Sequence, residues 1–302
     1  MKLSVNIAGV EWKNPVAAAA GIVASGKEYS PYLDFNSLGA ITSKGVSKDV
    51  WMGNPVPRIA ESYGGLVSSI GVQNAGIAAF VKDDAPFFNR LSSIGIVNVC
   101  GKTVEDFVEV AETLNGVEGI SMLELNLAYS DDFISDVNFS NCTKKTEEVV
   151  KAVKKSTNIP IITKLTPNVT NISEIAKAAE AAGSDALSLI QGLSALKINI
   201  RTKKPSLGNV YGTLTGPAIK PVAVRCVYQV AKVTKLPIIG MGGINTGEDA
   251  IEFLLAGATA IAVGSAIFSN PKAPLQVLEG IKSYMENNNV QDINDIIGMA
   301  NI

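Results

Sequence analysis

Four polar side chains sit at the ends of apolar runs: Lys44 in GAITSKG, Asn98 in GIVNVCG, Asn126 in MLELNL and Lys164 in PIITKLTP. A lysine is costly to bury unless something pairs with it, so Lys164 is either a snorkelling surface residue or a cation kept for use. If the four runs are parallel neighbours, both lysines and both amides converge on one mouth. Further along, LPIIGMGGI (236–244) and AVGSAIF (262–268) each carry a strand into glycine and then into a helix start. Backbone N–H groups at such turns hold phosphate, although Gly242 and Gly243 alone need mean no more than a tight turn. A phosphate end joined to this mouth fits a flavin better than a sugar phosphate, because a lysine near N1 and O2 stabilises the anionic reduced ring. The alternative is a flavin-free aldolase or isomerase with Lys164 as a Schiff-base lysine.

A third group lies in LELNLAYSDD (123–132), where a buried strand gives way to Tyr129, Ser130, Asp131 and Asp132. The chain has no histidine, which removes Ser-His-Asp triads, histidine metal sites and imidazole acid–base work. Any proton transfer uses other groups.

The elements that must position these residues follow one pattern. Strand-length runs at 15–21, 39–45, 95–101, 122–127, 160–167, 186–192, 236–243 and 259–265 alternate with helical patterns such as VEDFVEVAETL and GEDAIEFLLAG. That alternation predicts an α/β fold, a (β/α)8 TIM barrel, preceded by an N-terminal hairpin. Residues 46–72 and 193–216 are too long for simple turns and follow strand C-termini, so they are expected as lids or substrate walls on the active face. No linker or composition shift divides the chain, and 1–302 reads as one domain. With 26 basic and 28 acidic residues the net charge is −2, which gives no footprint for nucleic acid or an anionic membrane and leaves small-molecule chemistry. Cys100, Cys142 and Cys226 are too scattered for a disulfide framework or a metal cluster. No run has the length and apolarity of a signal or a membrane span, so a cytoplasmic location is expected.

Across nearly the whole chain the sequence resembles the dihydroorotate dehydrogenase family, in its NAD-linked class 1B branch. The resemblance runs through SKGV (43–46), GNPVPRIAES (53–62), SSIGVQNAG (68–76), VNVCG, ELN, KLTPNVT (164–170), GNVYGTLTGPAIKP (208–221), IIGMGGI and VGSAIF. It implies an FMN-containing barrel that moves two electrons between the flavin and a C–C bond of a ring. It assigns the flavin to Ala20 and Gly21, to Lys44, Asn98, Asn126 and Lys164, to Ile190 and Gly216, and to a phosphate end at Gly242, Gly243, Gly264 and Ser265. It assigns the substrate to Lys44, to Ser68, Ile70, Gly71 and Val72, to Asn126 and Asp131, and to Gln191 and Gly192. It also implies a homodimer and a second subunit carrying FAD and an iron–sulfur cluster, since this chain has neither a Rossmann fingerprint nor a cysteine cluster of its own.

The substrate side departs from the family pattern. Where the family has Asn, apolar, Ser, Cys, Pro, Asn, with the cysteine taking a proton from dihydroorotate, this chain reads Asn126, Leu127, Ala128, Tyr129, Ser130, Asp131. Family asparagines fall on Ser68, Asp131 and Gln191, and Gly192 stands where Ser or Thr is usual. A site that hydrogen-bonds one substrate rejects an analogue that leaves its groups unpaired, by roughly 10⁴ to 10⁵ in good cases. Asp131 would also repel the carboxylate of orotate. The expectation is therefore an FMN oxidoreductase acting on a cyclic or conjugated C=C substrate other than dihydroorotate, with Tyr129 or, second, Ser130 handling the proton. The alternatives are a dihydroorotate dehydrogenase with an atypical base and a flavin-binding or electron-transfer paralogue without turnover.

Overall fold

The structure is a computed structural model and describes residues 1–127 and 139–302. Eight parallel strands close into a barrel, in chain order Val16–Ala18, Ala40–Val46, Ile94–Val99, Met122–Asn126, Ile161–Leu165, Ala186–Leu189, Ile238–Met241 and Ala260–Val263, and the last pairs with the first. Each falls within one of the eight expected runs or overlaps it by all but one residue. Parallel strands covered on both faces have no polar side to show, which is why these segments read as nearly unbroken Val, Ile, Leu and Ala. Among the exceptions, Asn98, Glu124, Asn126 and Lys164 lie on three consecutive strands.

The helices turn one stripe to the barrel. In Val104–Leu114 the buried residues are Phe107, Val110, Ala111 and Leu114, a spacing of three and four that places them on one face. Thr103 and Asp106 form a capping box at its start, and Thr246 with Asp249 repeats the device for Gly247–Leu255. Each box satisfies two orphan N–H groups and fixes where the chain turns from the barrel mouth into its helix. The N-terminal hairpin is also present, Val5–Ile7 against Val10–Trp12. Its two-residue turn puts Ala8 at φ 54° and Gly9 at φ 85°, the twist such tight hairpins require.

The two long excursions do more than wall the site. Residues from 46–72 supply Ile59–Ser62 and Gly65–Ser68, and those from 193–216 supply Leu193–Leu196 and Tyr211–Thr215. They join in one four-stranded antiparallel sheet, in which Thr213 faces Ser68 and Thr215 faces Leu66. The expected lids are thus a single structure anchored to the barrel at two places. The sheet sits close against the end of the sixth barrel strand: a Cβ on Gly192 would lie 2.2 Å from Thr213 Cγ2 and 2.5 Å from the Leu214 carbonyl oxygen. The absence of a side chain at Gly192 is what lets the sheet seat there.

Gly192→Thr should therefore force the sheet off its seat and cost about 1–3 kcal/mol, as overpacking does. Thermal unfolding would show a lowered Tm; an unchanged Tm would mean that the seat is not tight.

Candidate functional site

A cavity of about 270 Å³ opens at the C-terminal ends of the barrel strands. All eight strand ends reach it, and the two excursions roof it through Ser68, Ile70, Gly71, Val72 and Gln73 on one side and Thr213, Thr215 and Gly216 on the other. Every described residue assigned from the sequence to flavin or substrate lines this one space, from Ala20 and Gly21 through Lys44, Ser68 and Gln191 to Gly264 and Ser265. Tyr129, Ser130 and Asp131 lie outside the described residues. Gln73, Thr213 and Thr215 also line it and were not anticipated. The threonines alternate in GTLT, the period-two signal of a strand with one face toward a site.

Lys44 enters the cavity through an irregularity in its strand. Pairing between the second and third strands shifts register between Thr42 and Gly45, and such a bulge re-aims the side chain beside it. Burial holds the Lys44 ammonium below the ordinary lysine range, with Glu28 and Asp84 opposing that shift and Arg58 adding to it.

Lys164 is not a snorkelling lysine. It is 6% exposed, and its Nζ lies 3.3 Å from Oε1 of Glu124, itself 2% exposed. The same Oε1 accepts from Asn98 Nδ2 at 2.6 Å, and Oε2 accepts from Ser188 Oγ at 2.7 Å. Asn126 Nδ2 in turn donates to Asn98 Oδ1 at 3.3 Å. Glu124 is the residue that the sequence reading missed. The signal was available: it stands two residues before Asn126, so both project to the same face of their strand.

Among the described residues, Asn126 Oδ1 and Gln191 Oε1 are buried with no hydrogen-bond partner, and both residues line the cavity. An unsatisfied buried acceptor costs about 1–3 kcal/mol, which a ligand presenting N–H groups would recover. At the other end, Gly243 has φ +80°, and a Cβ there would lie 2.9 Å from the Gly216 carbonyl oxygen. Lys220 clamps the helix starting beside it, at 2.8 Å from Asp249 and 2.6 Å from Glu252. The hydrogen bond to Asp249 and then that to Glu252 hold Lys220 above the usual lysine range. Gly264 is different: a Cβ would meet only Ala19 and Ile22, at 3.8 and 3.9 Å. Among the described residues nothing requires glycine there, and the space in front of it is open to a ligand. A bare-backbone end for phosphate and a buried lysine for the ring fit FMN, and the unpaired acceptors suit a ligand that carries N–H groups. A Schiff-base role for Lys164 does not fit its pairing with Glu124.

A family model described as Dihydroorotate dehydrogenase matches residues 2–285. The catalytic subunit of dihydroorotate dehydrogenase B (NAD(+)) from Alkaliphilus oremlandii is 54% identical over 296 residues, 98% of each chain. The subunit of the same name from Alkaliphilus metalliredigens is 51% identical over 298 residues, 99% of this chain and 98% of its own. That from Lachnoclostridium phytofermentans is 51% identical over 298 residues, 99% of both.

Gly264→Ala should leave unfolding stability within about 0.5 kcal/mol of the parent while weakening FMN about tenfold or more. Fluorescence titration of the apoprotein measures the second quantity. Undiminished affinity would remove Gly264 from the cofactor cradle.

Proposed function

The chain belongs to the dihydroorotate dehydrogenase family, FMN-dependent oxidoreductases acting on CH–CH groups, and on that premise we propose that its own reaction is the oxidation of dihydroorotate to orotate. The observation that carries this reading is the near-full-length identity of 54% to a subunit named for that reaction. The relatives' names lend no support to the different substrate expected from the rebuilt loop.

When bound, FMN supplies the hydride acceptor. Gly243, Gly264 and Ser265 would present backbone to its phosphate, while Lys164, Asn98 and Asn126 would hold the ring from the barrel side. The substrate is a cyclic amide with two ring N–H groups, and the free oxygens of Asn126 and Gln191 are acceptors for such donors. Ser68 offers a hydroxyl and Lys44 a cation for the carboxylate. Ile70 and Val72 exclude water from the roof. Tyr129 takes the proton from the carbon next to the one that gives up hydride, with Ser130 as the rival hydroxyl. A phenol with an ordinary pKa near 10 is ionised less at neutral pH than a thiol near 8.5, so less of it is present as the base and turnover slower than a cysteine would give is expected.

Electrons leave through a separate subunit, which the relatives' description as a catalytic subunit of an NAD(+) enzyme supports; FAD and an iron–sulfur cluster on that subunit would carry them. The chain pairs with a second copy of itself; the exposed Met52, Val56, Tyr63 and Ile200 on the excursions supply apolar surface for an interface. Among the described residues no helix is long and apolar enough to cross a membrane.

Anaerobic dihydroorotate should bleach the bound flavin with saturable kinetics. A protein that keeps FMN but is bleached only by another cyclic amide or an enone would contradict this substrate, and one that no such compound bleaches would be the silent paralogue. Tyr129→Phe should lower turnover by about 10²- to 10⁴-fold with FMN retained, and Ser130→Ala should leave it near the parent rate. The reverse pattern would move the role to Ser130.

A further inference from the structure

Glu124 does not line the cavity, yet it touches two side chains that do. It is 2% exposed, in the middle of the fourth strand, and receives Asn98 Nδ2, Lys164 Nζ and Ser188 Oγ from the strands on either side and one beyond. Strand register makes this contact unavoidable: Asn98 pairs with Glu124, Asn126 with Lys164, and Lys164 with Ser188. Ser188 is fully buried and, like Glu124, lies behind the cavity rather than on it. The pair is therefore built from the back, with only its cationic end presented to the ligand.

A charge in such a place is expensive unless paired, and removing one partner of a buried pair is worse than replacing both. A cation used only to hold a ring could stand at the rim, where water would solvate it. Instead the protein keeps a buried lysine and a buried carboxylate together, which limits how much positive charge the cavity feels. Interactions at these distances and this burial are weakly screened by salt.

We propose that Glu124 is a positioning residue for the flavin site: it holds Lys164 and Asn98 in place from beneath, and its charge offsets that of Lys164, so that it lowers the reduction potential of bound FMN. Two-electron reduction adds negative charge to the ring, and a lysine left without its carboxylate would stabilise that charge further. The inference rests on the flavin assignment and not on the identity of the substrate.

The test is the midpoint potential of the FMN-loaded protein, read by dye equilibration, for the parent, Glu124→Gln and Glu124→Asp. Glu124→Gln should favour the reduced flavin by about tenfold or more, a rise of about 30 mV for a two-electron couple. Glu124→Asp keeps the charge but draws it back by one methylene, so its potential should fall between the two. A Gln variant with FMN bound at the parent potential overturns the proposal. So do Gln and Asp variants shifted equally, since that outcome makes the residue a spacer rather than a charge. If Glu124→Gln does not hold FMN, the Asp variant decides alone: a potential above the parent supports the proposal and the parent value overturns it. A parent chain that cannot be loaded with FMN overturns the flavin assignment and this inference with it. An FMN-loaded parent that dihydroorotate does not bleach bears only on the substrate.

Discussion

A carboxylate inside a barrel of isoleucine, valine and leucine has to be compensated by whatever its own strands bring within reach. Glu124 is compensated by Asn98, Lys164 and Ser188, one residue each from the third, fifth and sixth strands. Because each partner is committed through the register of a parallel ladder, the arrangement survives only if the barrel closes in one way. A slip by a single residue would turn every side chain of a strand to its other face, burying the lysine or the carboxylate alone at a cost of several kcal/mol. The same network that constrains the register fixes the far wall of the cavity, so the fold and the site rest on one set of contacts.

The cavity has two ends of different character. One is backbone and small side chains, where Gly243 sits under positive φ and Gly264 faces open space. The other is roofed by a sheet drawn from two separate excursions and sealed where Gly192 meets Thr213 and Leu214. The barrel dictates the first end, since turns after its seventh and eighth strands have nowhere else to point. The second depends on contacts between segments over a hundred residues apart, which leaves it freer to change. Ser68, Gln191 and Gly192 all line this roofed end.

Much of this was legible in the sequence. The strand-helix alternation gave all eight barrel strands, because fully buried parallel strands leave continuous apolar runs. The residues at their ends could be placed in one mouth because parallel strands all finish on the same side. The pairing of the two excursions was not legible: a sheet assembled from Gly65–Ser68 and Tyr211–Thr215 is a long-range choice that neither segment records locally. Glu124 was passed over because a lone acidic residue in a strand run is visible, whereas its three partners are known only once register is known. Lys164 could not be separated from a surface lysine for the same reason.

The central claim is that this cavity holds FMN with its phosphate at the glycine end and its ring against the Glu124-backed wall. A crystal structure of the FMN-loaded protein tests it directly. The phosphate should lie against the backbone of Gly243, Gly264 and Ser265, with ring polar atoms in hydrogen-bond reach of Lys164 Nζ and the amide of Asn126. A phosphate at the opposite end, or a ring outside the barrel mouth, would contradict it.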